Sequence, residues 1–329
     1  MKYLITGGSG FIGTNLISFL QKKYPSCSIL NIDTSSPRNV NQSRYWIDCD
    51  IMDFDKLLNE FKNFDPSYVV NLAAKASLDG KTAEHFPENI TGAKNVAACV
   101  RKMNSILKFL HFSTQYVIKP GVEIKGDYFY KPYTPYGESK AIGEKIVRDM
   151  GIECDWLILR PTNIWGPWHS FFPFELWKYL SKRYYVHPGF EPINKYYGYI
   201  GNIVRQINSF LKKKHNLSSK KVFYLTDPPI DNYEWMNGFS NILSGKKVRR
   251  LPKVIWKTTA LIGDGLKAVG VKSPIDSGRY FRLTVNENIP YEDTIEFVGN
   301  SKFDIKQGLE ISLEWIKQYH SSLIKKQND

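Results

Sequence analysis

Tyr136 and Lys140 stand four residues apart in a stretch, Pro135 to Met150, that reads as a helix. On a helix, positions i and i+4 share one face, so a phenol and an ammonium can meet at one site. A phenol near pKa 10 is a poor base at neutral pH. A neighbouring positive charge favours the phenolate and brings its pKa down. Such a pair can take a proton from a hydroxyl and return it. Ser113-Thr114 follows the strand candidate Ile106–Phe112, and Thr114 is suited to hold the same oxygen by a hydrogen bond. The spacing alone carries little, because a chain with 20 tyrosines and many lysines yields roughly two such pairs by chance. Its weight comes from its place on a helix that follows the fifth strand.

A second constellation lies at the N-terminus, Thr6-Gly7-Gly8-Ser9-Gly10-Phe11-Ile12-Gly13. It follows a strand and opens an amphipathic helix. Gly7 permits the tight turn, Gly10 lets the backbone approach a pyrophosphate, and Gly13 lets helix and strand pack closely. The free N–H groups and positive dipole end at the helix start, where Phe11 and Ile12 lie, suit an anion. Asp33 ends the next strand, 20 residues after Gly13, where a carboxylate accepts from adenosine ribose hydroxyls. A 2′-phosphate would meet that charge, so NAD is expected and NADP disfavoured, with Arg38 softening the preference.

These residues need a scaffold, and the first half of the chain alternates β-rich runs with helical patterns. Strands are expected at Lys2–Thr6, 28–33, 68–72, 106–112 and 155–160, with helices at 11–23, 53–61, 82–103 and 135–150. Near-continuous apolar strands between helices imply a parallel sheet covered on both faces. The fold class is therefore α/β, a doubly wound parallel Rossmann sheet with a smaller C-terminal substrate-binding lobe. The nucleotide-binding domain is expected over 1–164 plus about 201–227, with Val222–Leu225 returning to the sheet. The lobe would take about 165–200 and 228–315, and 316–329 would form a tail.

Composition narrows the class. A hydrophobic fraction of 42% with 14% aromatics excludes a disordered chain. No run of 18 uncharged apolar residues is present, and no signal peptide is read at the start. Cys27, Cys49, Cys99 and Cys154 are scattered, which fits a reduced, cytoplasmic chain without a metal site. Residues 1–160 carry 20 basic and 17 acidic side chains, and 161–329 carry 25 and 15. A basic half raises nucleic acid, an anionic membrane surface or a phosphate-bearing substrate. Leu251 to Lys272 mixes Ile, Trp, Leu and Val with lysines. Its inner glycines and Asp264 favour a buried helix of the second lobe over membrane attachment.

Further along, Asp50-Ile51, Asn71-Leu72-Ala73-Ala74, Phe112-Ser113-Thr114-Gln115-Tyr116, Tyr136-Gly137-Glu138-Ser139-Lys140 and Leu159-Arg160-Pro161-Thr162-Asn163 follow the glycine turn in order. Together they resemble the extended short-chain dehydrogenase/reductase family, in its nucleotide-sugar epimerase/dehydratase branch, over residues 1–167. The resemblance implies that Thr114, Tyr136 and Lys140 are catalytic and that Lys140 also binds the nicotinamide ribose. It implies that the glycine turn with Phe11 and Ile12, Asp50, Ile51, Ala73 and Ala74 line the cofactor. It makes Asn89 mainly structural and gives Asn163 to the substrate diphosphate; Arg279 or Arg282, which match no family motif, suit either a bidentate grip on that diphosphate or a surface position. It further implies a nucleotide-diphosphate sugar as substrate and a homodimer, with stable membrane insertion and nucleic-acid binding not expected.

Departures from the family pattern bear on the reaction. The branch's 4,6-dehydratases follow the threonine with Asp-Glu, and here Gln115-Tyr116 stand instead, so dehydration is disfavoured. An epimerase recycles bound NAD, which Asp33 favours, and transient oxidation at a sugar hydroxyl, C4 by default, is expected. A reductase or dehydrogenase of a nucleotide 4-keto-sugar is the alternative. A catalytically silent NAD- or RNA-binding protein on the same fold is another. The aromatic run Trp165 to Trp177 suits either stacking on the substrate or an inter-lobe core.

Overall fold

Tyr3 and Ile5 pack into one side of the first strand and Leu4 into the other, and all three are fully buried. Side chains alternate across a strand, so burial on both sides requires a cover on each face. The computed structural model describes residues 1–77, 79–169, 177–213, 221–271 and 273–319. Its first half runs β1 (Lys2–Thr6), α1 (Phe11–Lys23), β2 (Ser28–Asp33), β3 (Trp46–Asp48), α2 (Phe54–Phe64), β4 (Tyr68–Asn71), α3 (Ala93–Arg101), β5 (Lys108–Phe112), α4 (Pro135–Asp149) and β6 (Asp155–Pro161). The second half begins with β7 (Asn163–Trp165), α5 (Trp177–Ser181), β8 (Val186–Pro188), β9 (Asn194–Lys195), β10 (Tyr197–Tyr199) and α6 (Ile200–Lys212). It continues with β11 (Val222–Leu225), β12 (Ile230–Asp231), α7 (Asn232–Ser244), β13 (Arg249–Leu251), α8 (Lys253–Ala268), α9 (Ser277–Thr284), α10 (Glu292–Val298) and α11 (Ile305–Tyr319).

Seven strands form one sheet in the order β11-β6-β5-β4-β1-β2-β3, and every pairing is parallel. The order reverses beside β1, so a crevice opens past the carboxyl ends of β1 and β4. Leu16, Ile17 and Leu20 of α1 and Ile203, Ile207 and Phe210 of α6 cover one face. Leu57 and Phe61 of α2, Val96, Cys99 and Val100 of α3 and Val147 of α4 cover the other. The seventh strand is the expected return of Val222–Leu225, in register with Ile158 to Pro161.

At that edge, the fully buried Arg160 is gripped by the equally buried Glu144 of α4, Nε to Oε1 at 2.9 Å and Nη2 to Oε2 at 2.8 Å. Tyr224 and Tyr130 complete the set, the former accepting from Arg160 and the latter donating to Glu144. Breaking such a pair typically costs about 3–5 kcal/mol, since the partner stays buried and charged. The pair locks α4, and with it Tyr136 and Lys140, against β6.

Three expectations are corrected. The helix expected over 82–103 is interrupted: Ala83–His85 is a 3-10 turn, Glu88–Gly92 a π turn, and the α-helix begins at Ala93. Pro87 lacks an N–H to continue a helix, and Asn89 is drawn aside to bind Lys75 N, Lys75 O and Ser139 Oγ. That is the structural role expected for Asn89. The tail placed at 316–329 starts inside α11, where Trp315 and Ile316 are buried in the core. The helix read as buried within Leu251 to Lys272 forms as α8 but buries only Trp256, Ala260 and Gly263. Among the described residues no helix is long and apolar enough to cross a membrane.

Candidate active site

Gly7 has φ +71°, and a Cβ there would lie 2.6 Å from Ala73 N. A Cβ on Gly13 would lie 2.4 Å from Gly8 Cα. Both positions therefore exclude a side chain, and the turn closes tightly enough to aim the start of α1 into the crevice. Gly10 is the N-cap of α1, and the first turn carries no acidic residue to compete with an anion. Asp33, at the end of β2, accepts from Ser9 N at 3.0 Å and Ser35 N at 2.9 Å. Burial pushes its carboxyl up, opposed by these backbone donors and by Arg38.

The crevice is about 1030 Å³. Gly7, Gly10, Phe11, Ile12, Gly13, Asp33, Asp50, Ile51, Ala73, Ala74, Tyr136 and Lys140 all line it. The fold thus gathers into one cleft every residue expected to hold the cofactor. Ser9, Arg38, Lys75, Glu88, Ser113 and His169 line it as well. Of these, only Arg38 carries a sequence signal for the cofactor, its distance of five residues from Asp33. His169 sits edge-on to Phe11 at 4.7 Å, and burial holds its imidazole down to about 4. It arrives on the loop 166–169, which Asn15 and Arg38 pin by donating to Pro167 O and Trp168 O.

A dinucleotide fits these groups. The glycine cradle is space that any Cβ would fill, the helix start faces the cleft, and Ser113 Oγ is buried in its wall without a protein partner. The turn would hold the pyrophosphate, Asp33 the adenosine ribose, and Lys140 the ribose nearer Tyr136. Bound there, NAD supplies a hydride acceptor and a positive nicotinamide ring.

Tyr136 lies in the first turn of α4, whose N-cap Thr134 accepts from Gly137 N at 3.0 Å. Thr114 is near enough to its hydroxyl to act on it, and its ring is flanked edge-on by Phe86 and Tyr116. The phenol does not stand low in this environment. Burial pushes it up to about 12, against the lowering effect of Thr114. The buried Lys140 ammonium donates instead to Phe112 O, and desolvation brings its own pKa down to about 8. The expected help from Lys140 is thus directed at the end of β5. The ammonium fixes that strand end, next to Ser113, rather than solvating the phenolate directly.

Beyond Tyr136 lie Tyr116 and Tyr133, which meet edge-to-face at 5.7 Å. Arg282 of α9 and Glu287 are close enough to act on the phenols of both. Glu287 is itself paired with the buried Lys195 at 3.0 Å. Arg279 is exposed and donates to Pro274 O at 2.6 Å. Asn163 opens β7, in register with Tyr197, and is half-buried. Trp165 packs on Tyr199, Trp235 and Phe239, and Trp168 on Trp315 and Tyr319. For these two tryptophans the inter-lobe core holds. Phe171, Phe172 and Phe174 lie outside the described residues.

A doubly wound sheet with a glycine turn at its switch point, and Tyr136 and Lys140 in the wall of the adjoining cleft, defines a dinucleotide-binding class. The chain belongs to the NAD dependent epimerase/dehydratase family, whose model matches residues 3–193. Its cofactor is accordingly NAD. A putative UDP-glucose 4-epimerase of Methanocaldococcus jannaschii is 29% identical over 175 residues, 50% of this chain and 56% of that protein. The human dTDP-D-glucose 4,6-dehydratase is 29% identical over 184 residues, 50% of this chain and 52% of that one. The match thus spans about half the length of these curated relatives. A UDP-glucose 4-epimerase of Thermotoga maritima, solved with UDP-glucose, superposes with a TM-score of 0.74 at 20% identity, covering 97% of this chain and 99% of that one. Epimerases and dehydratases match alike, so the comparisons lend no support to setting dehydration aside.

Proposed function

We propose that the chain is a nucleotide-sugar epimerase that acts by transient oxidation at a sugar hydroxyl, C4 by default. The observation that carries this reading is the placement of Tyr136 and Lys140 together in the wall of a cleft suited to NAD, with Thr114 near enough to act on the phenol. Tyr136 exchanges a proton with the hydroxyl, and Thr114 holds the same oxygen while the proton moves. Burial raises the phenol, so its activation depends on positive charge brought by the nicotinamide ring. Lys140 holds the neighbouring ribose and the end of β5.

The pair after Thr114 supports epimerisation over dehydration. Gln115 lines a separate small cavity with Tyr224 and Glu287, and the Tyr116 ring packs between Tyr133 and Tyr136. Neither supplies the carboxyl group that water elimination needs. Arg282, placed near Tyr116 and Tyr133, is better sited than Arg279 to grip a substrate diphosphate bidentately. The homodimer implied by the family resemblance belongs to the same reading.

The test is incubation of the purified protein with NAD and UDP-, dTDP-, GDP- and CDP-sugars, with products read by mass and NMR. A product of unchanged mass and inverted configuration, with no net NADH, is expected. Loss of water would identify a dehydratase, and a gain of two hydrogens with NAD(P)H a reductase.

A further inference from the structure

Helix α8 turns its apolar residues outward. Trp256, Ala260 and Gly263 face the lobe, and Gly263 approaches Ile275 O so closely that a Cβ would overlap it. Opposite them on the helix wheel are Val254, Leu261, Ile262 and Val269, exposed to 67, 59, 60 and 74%. Ile255, Leu266 and, past the helix end, Val271 widen this exposed apolar surface. Lys253, Lys257, Asp264 and Lys267 fall on one flank of the helix, leaving the outer face uncharged. A soluble surface seldom leaves a contiguous apolar strip of this kind without a use.

The strip is framed by positive charge. From Lys246 to Lys272 the chain carries eight basic residues and one acidic residue. Lys246, Lys247, Arg249 and Lys257 are exposed. Arg250 lies over the Tyr233 ring at 3.5 Å, and Lys267 pairs with Asp276. Strand β13, paired with β8, leads through Pro252 directly into α8, so the basic run and the apolar face form one rigid edge of the lobe. Two copies meeting through this edge would bring like charges together. An anionic surface with an apolar interior complements both features.

We propose that α8 and the basic run before it dock the C-terminal lobe on an anionic lipid bilayer, with Leu261, Ile262 and Val269 entering the headgroup–acyl boundary. The helix lies in the interface and does not span it. Its inner side packs on α9, which carries Arg282, so docking sets the substrate side of the lobe close to the membrane. Nothing in this depends on the sugar or on the reaction catalysed.

The experiment is co-sedimentation of the full chain with vesicles of phosphatidylcholine alone and of phosphatidylcholine mixed with phosphatidylglycerol, at low and high salt. Binding is expected to the anionic vesicles only, falling steeply with salt. The double variant Leu261→Gln/Ile262→Gln should bind at least tenfold more weakly, and Lys246→Glu/Lys247→Glu likewise, both with unchanged NAD affinity as the control for folding. Absence of anionic-vesicle binding by the unaltered chain would overturn the proposal, as would undiminished binding by the glutamine variant. If that variant instead turns an oligomer into a monomer, with no vesicle binding by either form, the face is an interface between copies and the proposal fails.

Discussion

Asp33 Oδ2 accepts the backbone N–H of Ser9 at 3.0 Å. The carboxylate suited to read the adenosine ribose therefore also ties the glycine turn to the end of β2. Asn31, two residues earlier, donates to Ser9 Oγ at 3.0 Å and steadies the same turn. The side chain expected to recognise the ribose thus also shapes the glycine turn.

Asp33→Ser is accordingly expected to weaken NAD binding by about 10–100-fold, the equivalent of about 1.4–3 kcal/mol. NADP should lose less, because the repulsion of its 2′-phosphate is relieved. Titration of both cofactors by fluorescence quenching checks this. An unchanged preference between them would mean that Asp33 does not face the ribose.

Gly13→Ala tests the turn itself. Its methyl would sit 2.4 Å from Gly8 Cα and 2.5 Å from Gly8 O, both backbone atoms that have nowhere cheap to go. Overpacking of this kind costs about 1–3 kcal/mol, so a lower melting temperature and loss of NAD binding are expected together. Gly245→Ala provides the contrast. It has φ +64° but open space around a Cβ, and should cost a little stability and leave NAD affinity intact.

Tyr136→Phe should reduce turnover by about 10²–10⁴-fold with NAD affinity retained, since it removes only the proton carrier. Thr114→Val should have a smaller effect on turnover and should raise the phenol's pKa further, because the Thr114 side chain lowers it. Ultraviolet titration of tyrosinate in both proteins, with and without NAD, separates the two roles. NAD is expected to bring the Tyr136 phenol down, and a phenol unmoved by NAD would speak against this activation.

Asp227 makes a prediction about pH and stability. It accepts from Tyr199 N, Asn202 Nδ2 and Ser301 Oγ, and burial nonetheless pushes it up to about 6. A raised acid favours the fold most when protonated, so its contribution is present below about pH 4 and is lost as pH rises through about 6. Relative to the unaltered chain, Asp227→Asn should therefore gain stability between pH 4 and pH 7, by about 3 kcal/mol for a shift of that size. Denaturant titrations at the two pH values measure the change. A difference independent of pH would refute the assignment.

Much of the dinucleotide half is local in origin, and it was legible for that reason. The glycine turn, the alternation of strands and helices, and the i to i+4 placement of Tyr136 and Lys140 depend on short-range sterics and periodicity. The residues marked for the cofactor met in one cleft because a parallel doubly wound sheet brings its strand ends to one edge. The interruption at Pro87 was also local, but the helical pattern around it obscured it.

The remainder depended on contacts distant in sequence. No spacing rule says that the Lys140 ammonium will be taken by Phe112 O, that desolvation will raise Tyr136, or that Arg282 will stand near Tyr116 while Arg279 turns to Pro274. The same holds for α8, whose apolar residues read as core by composition. Burial is a property of what packs against a helix, and only the tertiary arrangement shows which face has a neighbour. The sequence by itself determined the sheet, the phosphate turn and the placing of Tyr136 and Lys140 on one helix face, because local geometry specifies them. The electrostatic state of those side chains and the exposed apolar edge of the second lobe were decided by tertiary structure, because desolvation and coverage are set by residues far along the chain.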